Sequence, residues 1–186
     1  GPTATQTMYP FLVREWLNSQ GYNCRVLLKS ASGTTSAEHE TFRKQGWHSS
    51  TLNKYSLGIY NLGINDAGGA VSSATFLANV TAFWNWWSKA YPNAPLIILG
   101  PTPLENNTTE AAAATYRSAV AAWVTSVNSP RLAFADPTAL WDRAVTANYA
   151  GSDTPGSRVH YVDAPHALVA GLIQTTISSG NLWPAR

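Results

Sequence analysis

The chain has 186 residues, of which 45% are hydrophobic and 12% charged, and a formal charge of +2. That length and apolar content suit one domain with a real core and exclude wholesale disorder. The near-neutral balance gives no electrostatic case for nucleic acid, and no basic run suggests a polybasic membrane patch.

The elements follow in chain order. Residues 9–20 place Leu12, Trp16 and Leu17 on one helical face, and Gly21 ends that helix. Residues 22–28 (YNCRVLL) read as a strand, and a loop of small residues follows over 29–36. A short helix is expected over 37–45, a second strand over 55–62 (YSLGIYNL) and a glycine-rich turn over 63–69. Residues 73–90 form a helix with Phe76, Val80, Phe83, Trp84 and Trp87 on one face. A fully buried strand over 95–99 (PLIIL), an Ala-rich helix over 109–127, a strand over 131–135 (RLAFA) and a last helix over 164–178 complete the pattern. Strands alternating with helices of this size indicate βαβ units and a parallel sheet covered on both faces, an α/β fold. The series opens on a helix, where a wound sheet normally opens on a central strand. The expectation is one domain over 1–186 that lacks its first strand.

Several residues carry chemistry. In Asp163-Ala164-Pro165-His166 a carboxylate three positions ahead of a histidine can reach its ring and fix its tautomer. The competing reading makes Asp163 a helix N-cap with Pro165 in the first turn. Gly63-Ile64-Asn65-Asp66 follows a strand, where an asparagine amide can donate to a developing oxyanion; a plain Gly-Asn turn is the alternative. Asp66 would steady that turn rather than react. Ser32-Gly33-Thr34-Thr35 also lies past a strand, where a glycine N–H can face a ligand, or where a loop merely turns.

Taken together, the order and spacing of these motifs resemble the SGNH (GDSL-type) esterase and lipase superfamily. Gly33 in SASGTT, Asn65 in LGIND, Asp163 and His166 in DAPH, the Tyr9-Pro10-Phe11-Leu12 helix opening and Gly171 all match its pattern. The resemblance implies a three-layer α/β/α sandwich with a flavodoxin-like parallel sheet. It also implies ester hydrolysis through a Ser-His-Asp mechanism without a cofactor. His166 would be the base, Asp163 its orienting partner, and Gly33 and Asn65 the oxyanion donors. Small acyl esters are the implied substrates, with O-acetylated carbohydrate among them. The family's Gly-Asp-Ser block is absent, so the nucleophile is unknown. Gly1-Pro2-Thr3 has the letters of a degenerate block, but no strand precedes it, and Ser30 and Ser32 sit where the family supplies an oxyanion N–H. The expectation is a serine upstream of this chain or on a separate N-terminal fragment that also supplies the first strand. The rival reading is a non-catalytic SGNH-like binding module that has lost its nucleophile. A nucleotide-binding flavodoxin-like domain ranks last, because no phosphate-binding glycine loop is present.

Other features carry less. The single Cys24 excludes an internal disulfide. No apolar stretch reaches the ~20 residues of a membrane span, and no signal-peptide pattern opens the chain. His39, with Glu38, Glu40 and His48, matches no standard metal spacing and reads as solvated polar surface. His160 reads as an ordinary strand histidine. Trp86 falls off the apolar face of its helix, where it could meet a partner or a sugar ring. Asn79 and Asn106 open glycosylation sequons. Low charge and abundant Ser, Thr and Asn suit an extracellular or virion-surface setting.

Overall fold

The computed structural model describes residues 8–29, 31–46, 55–150 and 154–184. Thr3, Ser30 and His48 lie outside them. The elements are α1 (Tyr9–Ser19), α2 (Ser36–Lys44), β1 (Gly58–Asn61), α3 (Ile64–Gly68), α4 (Ser73–Ala90), β2 (Leu96–Leu99), α5 (Asn107–Val127), β3 (Leu132–Ala135) and α6 (Asp163–Ser179). A 3-10 turn, Thr146–Asn148, lies in the long connection before α6.

The strands pair in the order β1-β2-β3, all parallel, with Gly58 opposite Leu96 and Leu96 opposite Leu132. The central strand explains its own composition. Leu96 and Ile98 enter the core formed with α4 and α5, while Ile97 and Leu99 enter the core formed with α1 and α6. Both faces of β2 are covered, so all four of its side chains must be apolar. Helix α4 buries the five residues expected from its spacing, Phe76, Val80, Phe83, Trp84 and Trp87. Trp87 lies so close over β1 that a Cβ at Gly58 would come within 2.7 Å of its ring and of Leu96. Glycine is needed there for space, not for backbone freedom.

Local caps set the boundaries. Ser72 opens α4 by accepting from the Thr75 N–H, and Asn106 opens α5 by accepting from Thr108 and Thr109. Thr35 and Glu38 form a reciprocal capping box at the start of α2. The glycine-rich turn is instead the short helix α3, entered through Gly63 at φ +114°, a conformation that needs glycine.

The strand expected over 22–28 does not form. Its side chains still alternate, with Tyr22, Cys24 and Val26 half-buried and Asn23, Arg25 and Leu27 exposed. A strand exists only through pairing, and the nearest sheet edge, β1, is separated from this stretch by a cleft of about 1040 Å³. Among the described residues no strand pairs with it.

Candidate active site

Three distant stretches reach the carboxyl end of β1. Asn61, the last residue of that strand, donates from Nδ2 to the Tyr9 hydroxyl at 3.3 Å. Tyr9 begins α1, and its backbone N–H donates to Nδ1 of His166 at 3.4 Å. His166 lies in the first turn of α6, with Tyr9 stacked on its ring at 6.2 Å between centroids and Tyr161 tilted against it at 4.5 Å. On the other flank, Asn65 of α3 donates from Nδ2 to the Thr34 carbonyl at 3.1 Å, which ties it to the loop carrying Gly33 at φ +75°. Asn65 and Gly33 are therefore neighbours, and Tyr9 links β1 to His166.

Asp163 is the first residue of α6, not its N-cap; Val162 holds that position. Its carboxylate is exposed, and its charge acts on His166. Burial between the two tyrosines pushes the His166 pKa below its usual value, and the Asp163 charge opposes that shift. The lowered pKa favours the neutral imidazole, the form that can accept a proton. In this geometry Nδ1 accepts from the Tyr9 N–H, so the ring proton resides on Nε2. Burial also raises the Tyr9 hydroxyl pKa, partly offset by Asn61.

Beneath the Gly33 loop sits a network that sequence spacing does not reveal. Asp66 is fully buried and accepts from the Ser36 N–H at 2.9 Å and from its hydroxyl at 2.5 Å. Asn79 of α4 donates to the same hydroxyl at 2.9 Å. These bonds span 30 and 43 residues and lock the entry of α2 to α3.

The sequence profile of the GDSL-like lipase/acylhydrolase family matches residues 1–168. The chain belongs to that family. Membership supports esterase or acylhydrolase activity. No curated protein sequence matches significantly. Among solved structures, the fold resembles a carbohydrate esterase family 3 protein from Talaromyces cellulolyticus, with TM-score 0.71 and 20% identity over 94% of this chain and 91% of that one. It also resembles a carbohydrate acetylesterase family member from Sinorhizobium meliloti (TM-score 0.69, 13% identity, 97% and 89% covered). A lipolytic G-D-S-L family protein from Veillonella parvula is a third, with TM-score 0.73, 11% identity, and 95% and 90% covered. At these identities the likeness concerns the fold, a parallel sheet between helical layers.

Several residues of this GDSL-family chain serve structure where the sequence suggested other settings. His39 is buried, with its ring edge-on to Tyr60 at 5.2 Å and beside Phe83 at 5.4 Å, and buried Glu40 pairs with Arg43; neither is solvated surface. Trp86 packs on Phe83 and Tyr91 and carries the Arg43 guanidinium over its ring at 5.6 Å. His160 lies in no strand. Asn79 and Asn106 are occupied by the network and the α5 cap described above. Tyr9, singled out only as part of a helix opening, meets Asn61 and His166 across 52 and 157 residues, and neither Asn61 nor Tyr161 lies in a motif read from the sequence.

Proposed function

We propose that the chain is the catalytic domain of a carboxylic-ester hydrolase acting through a serine ester. His166 is the general base, Asp163 orients it, and the Gly33 N–H and the Asn65 amide stabilise the oxyanion. The observation that carries this reading is the convergence on the end of β1: Asn65 bonded to the Gly33 loop on one side, and His166 packed against Tyr9 and Tyr161 on the other. Asn65 spends one N–H on Thr34 and keeps the second for a ligand. In the first step the base takes the hydroxyl proton as the oxygen attacks the ester carbonyl. The imidazolium then protonates the leaving alkoxide, and water repeats the sequence on the acyl-enzyme. To act as the base, the imidazole must give up the Tyr9 N–H and carry its proton on Nδ1, which leaves the Nε2 lone pair for the reacting oxygen.

Small acyl esters fit the half-buried, aromatic-walled surroundings of His166. The carbohydrate esterase and acetylesterase neighbours direct the choice toward O-acetylated sugars.

Hydrolysis of p-nitrophenyl acetate and of an acetylated oligosaccharide, by the protein and by His166→Ala, tests the reading. Loss of the base should lower turnover by about 10²–10⁴. Equal rates from a folded variant would remove His166 from the mechanism. Labelling with a fluorophosphonate, followed by peptide mapping, identifies the attacking residue.

A further inference from the structure

Between β3 and α6 the chain makes a long excursion, and its return leg brings Tyr161 onto the His166 ring. Tyr161 pairs with Tyr149 of the outgoing leg in an antiparallel bridge, flanked by Ala150 N–H to His160 O at 2.8 Å and Val162 N–H to Asn148 O at 3.1 Å. A two-stranded ribbon of this kind is marginal by itself. It is fastened from outside, to residues 103–105 just past β2. On the outgoing leg, Arg143 Nε donates to Leu104 O at 2.8 Å and the Tyr149 hydroxyl donates to Pro103 O at 3.2 Å.

The return leg is tied to the same stretch by one side chain. Glu105 Oε2 accepts from the Gly156 N–H at 2.7 Å and from the Arg158 N–H at 3.1 Å, and Oε1 accepts from Arg158 Nη1 at 3.0 Å. The Glu105 N–H returns a bond to Arg158 O at 3.3 Å. Gly156 stands at φ +82°, so the carboxylate holds a turn in a conformation that favours glycine. Both charged side chains are largely shielded, at 15% and 16% exposure. From Arg158 the chain runs directly to Tyr161, whose ring lies between Trp141 at 5.4 Å and His166 at 4.5 Å.

We propose that Glu105 is a positioning residue for His166: its carboxylate fixes the 156–158 turn, and through it the ribbon that lays Tyr161 on the imidazole. Glu105 touches no reacting atom. Its two bonds to backbone N–H groups carry the effect, because an ion pair at a partly open surface contributes little alone. The groups facing the ring are Tyr9 from α1, Tyr161 from the ribbon and Asp163 from α6. Loosening the turn removes one aromatic wall and lets water reach the ring. The consequence for turnover rests on the ester-hydrolase reading; the placement of the ring does not.

The test follows a His166 ring proton by NMR through a pH titration of the whole protein, assigned by its loss in His166→Ala. Burial holds the parent's His166 pKa below the ordinary value, and in Glu105→Ala it should move up toward 6.5. The sign separates the causes, because losing a nearby negative charge alone would move it down. Glu105→Gln, which keeps one oxygen for the two N–H groups, should move it less, and Arg158→Ala least. Val120→Ala, a cavity in the core on the other face of β2, should lower stability and leave the titration where it was. The proposal is overturned if Glu105→Ala folds and titrates like the parent, if its pKa moves down, or if Arg158→Ala or Val120→Ala moves it as far. Should Glu105→Ala not fold, Glu105→Gln decides in its place by the same signs. With p-nitrophenyl acetate, kcat of Glu105→Ala should fall about 10–100-fold with KM little changed, as for a small misplacement of a catalytic group. A parent without turnover, or a shifted titration with kcat intact, refutes His166 as the base of an ester hydrolase and leaves the positioning standing.

Discussion

Replacing Asp66 by asparagine removes one charge and no volume from a fully buried position. The carboxylate accepts from the Ser36 N–H, at 2.9 Å through Oδ2 and 3.2 Å through Oδ1, and from the Ser36 hydroxyl at 2.5 Å. Hydrogen bonds to a charged acceptor contribute ~1.5–3 kcal/mol each. The amide keeps one acceptor oxygen, but its NH₂ faces the other donor of Ser36. Relief from burying a charge offsets part of the loss, which leaves a destabilisation of about 2–4 kcal/mol. For a domain of this size each kcal/mol lowers Tm by ~2–4 °C, so D66N should melt ~5–15 °C below the parent. Urea unfolding with unchanged slope, paired with calorimetry, measures it. The Ser36→Ala variant should lose less, about 1–2 kcal/mol, because the backbone N–H bond to Asp66 survives while Asn79 loses its acceptor. A D66N protein within about 0.5 kcal/mol of the parent would refute the claim that this carboxylate anchors the Gly33 loop.

Because burial depresses the His166 pKa, ester hydrolysis should rise with pH through an apparent pKa below 6.5; a midpoint clearly above that value would contradict the buried imidazole. Its linkage to stability has the same direction. The unfolded chain binds the proton more readily, so this contribution is present above the unfolded pKa and is lost as pH falls through the folded one; urea titrations at pH 5 and 8 in parent and His166→Ala measure it. Gly58→Ala places a methyl against Trp87 and Leu96 and should cost ~1–3 kcal/mol, read as a shifted urea midpoint. Arg117→Met leaves Glu110 charged and buried with only the Leu104 N–H, and frees the Pro101 carbonyl; a loss of ~3–5 kcal/mol is expected in the same assay.

Much was legible in the chain itself, for reasons that stay local. The LIIL run is buried on both faces, the five-residue stripe of α4 faces the core, and the Ser72 and Asn106 caps mark helix starts, because each signal acts within a few residues. The α/β class follows from that alternation, and the family from motifs whose spacing along the chain is preserved. Gly33, Asn65, Asp163 and His166 could be singled out as residue types in context. What they touch could not, since Tyr9 meets His166 across 157 residues and Ser36 meets Asp66 across 30.

The failures have the same origin. Residues 22–28 carry the composition and alternation of a strand, yet a strand is a relation between two segments, and this one faces a cleft. His39 and Glu40 have polar side chains, yet packing against Tyr60 and Phe83 and pairing with Arg43 buried both. The sequence by itself determined helix faces, caps and the double-sided burial of β2, because those depend on periodicity within one element. Only the tertiary structure decided which edge of β1 faces the cleft, which carboxylate is buried and what packs on the imidazole, because each depends on groups that become neighbours only when the chain folds.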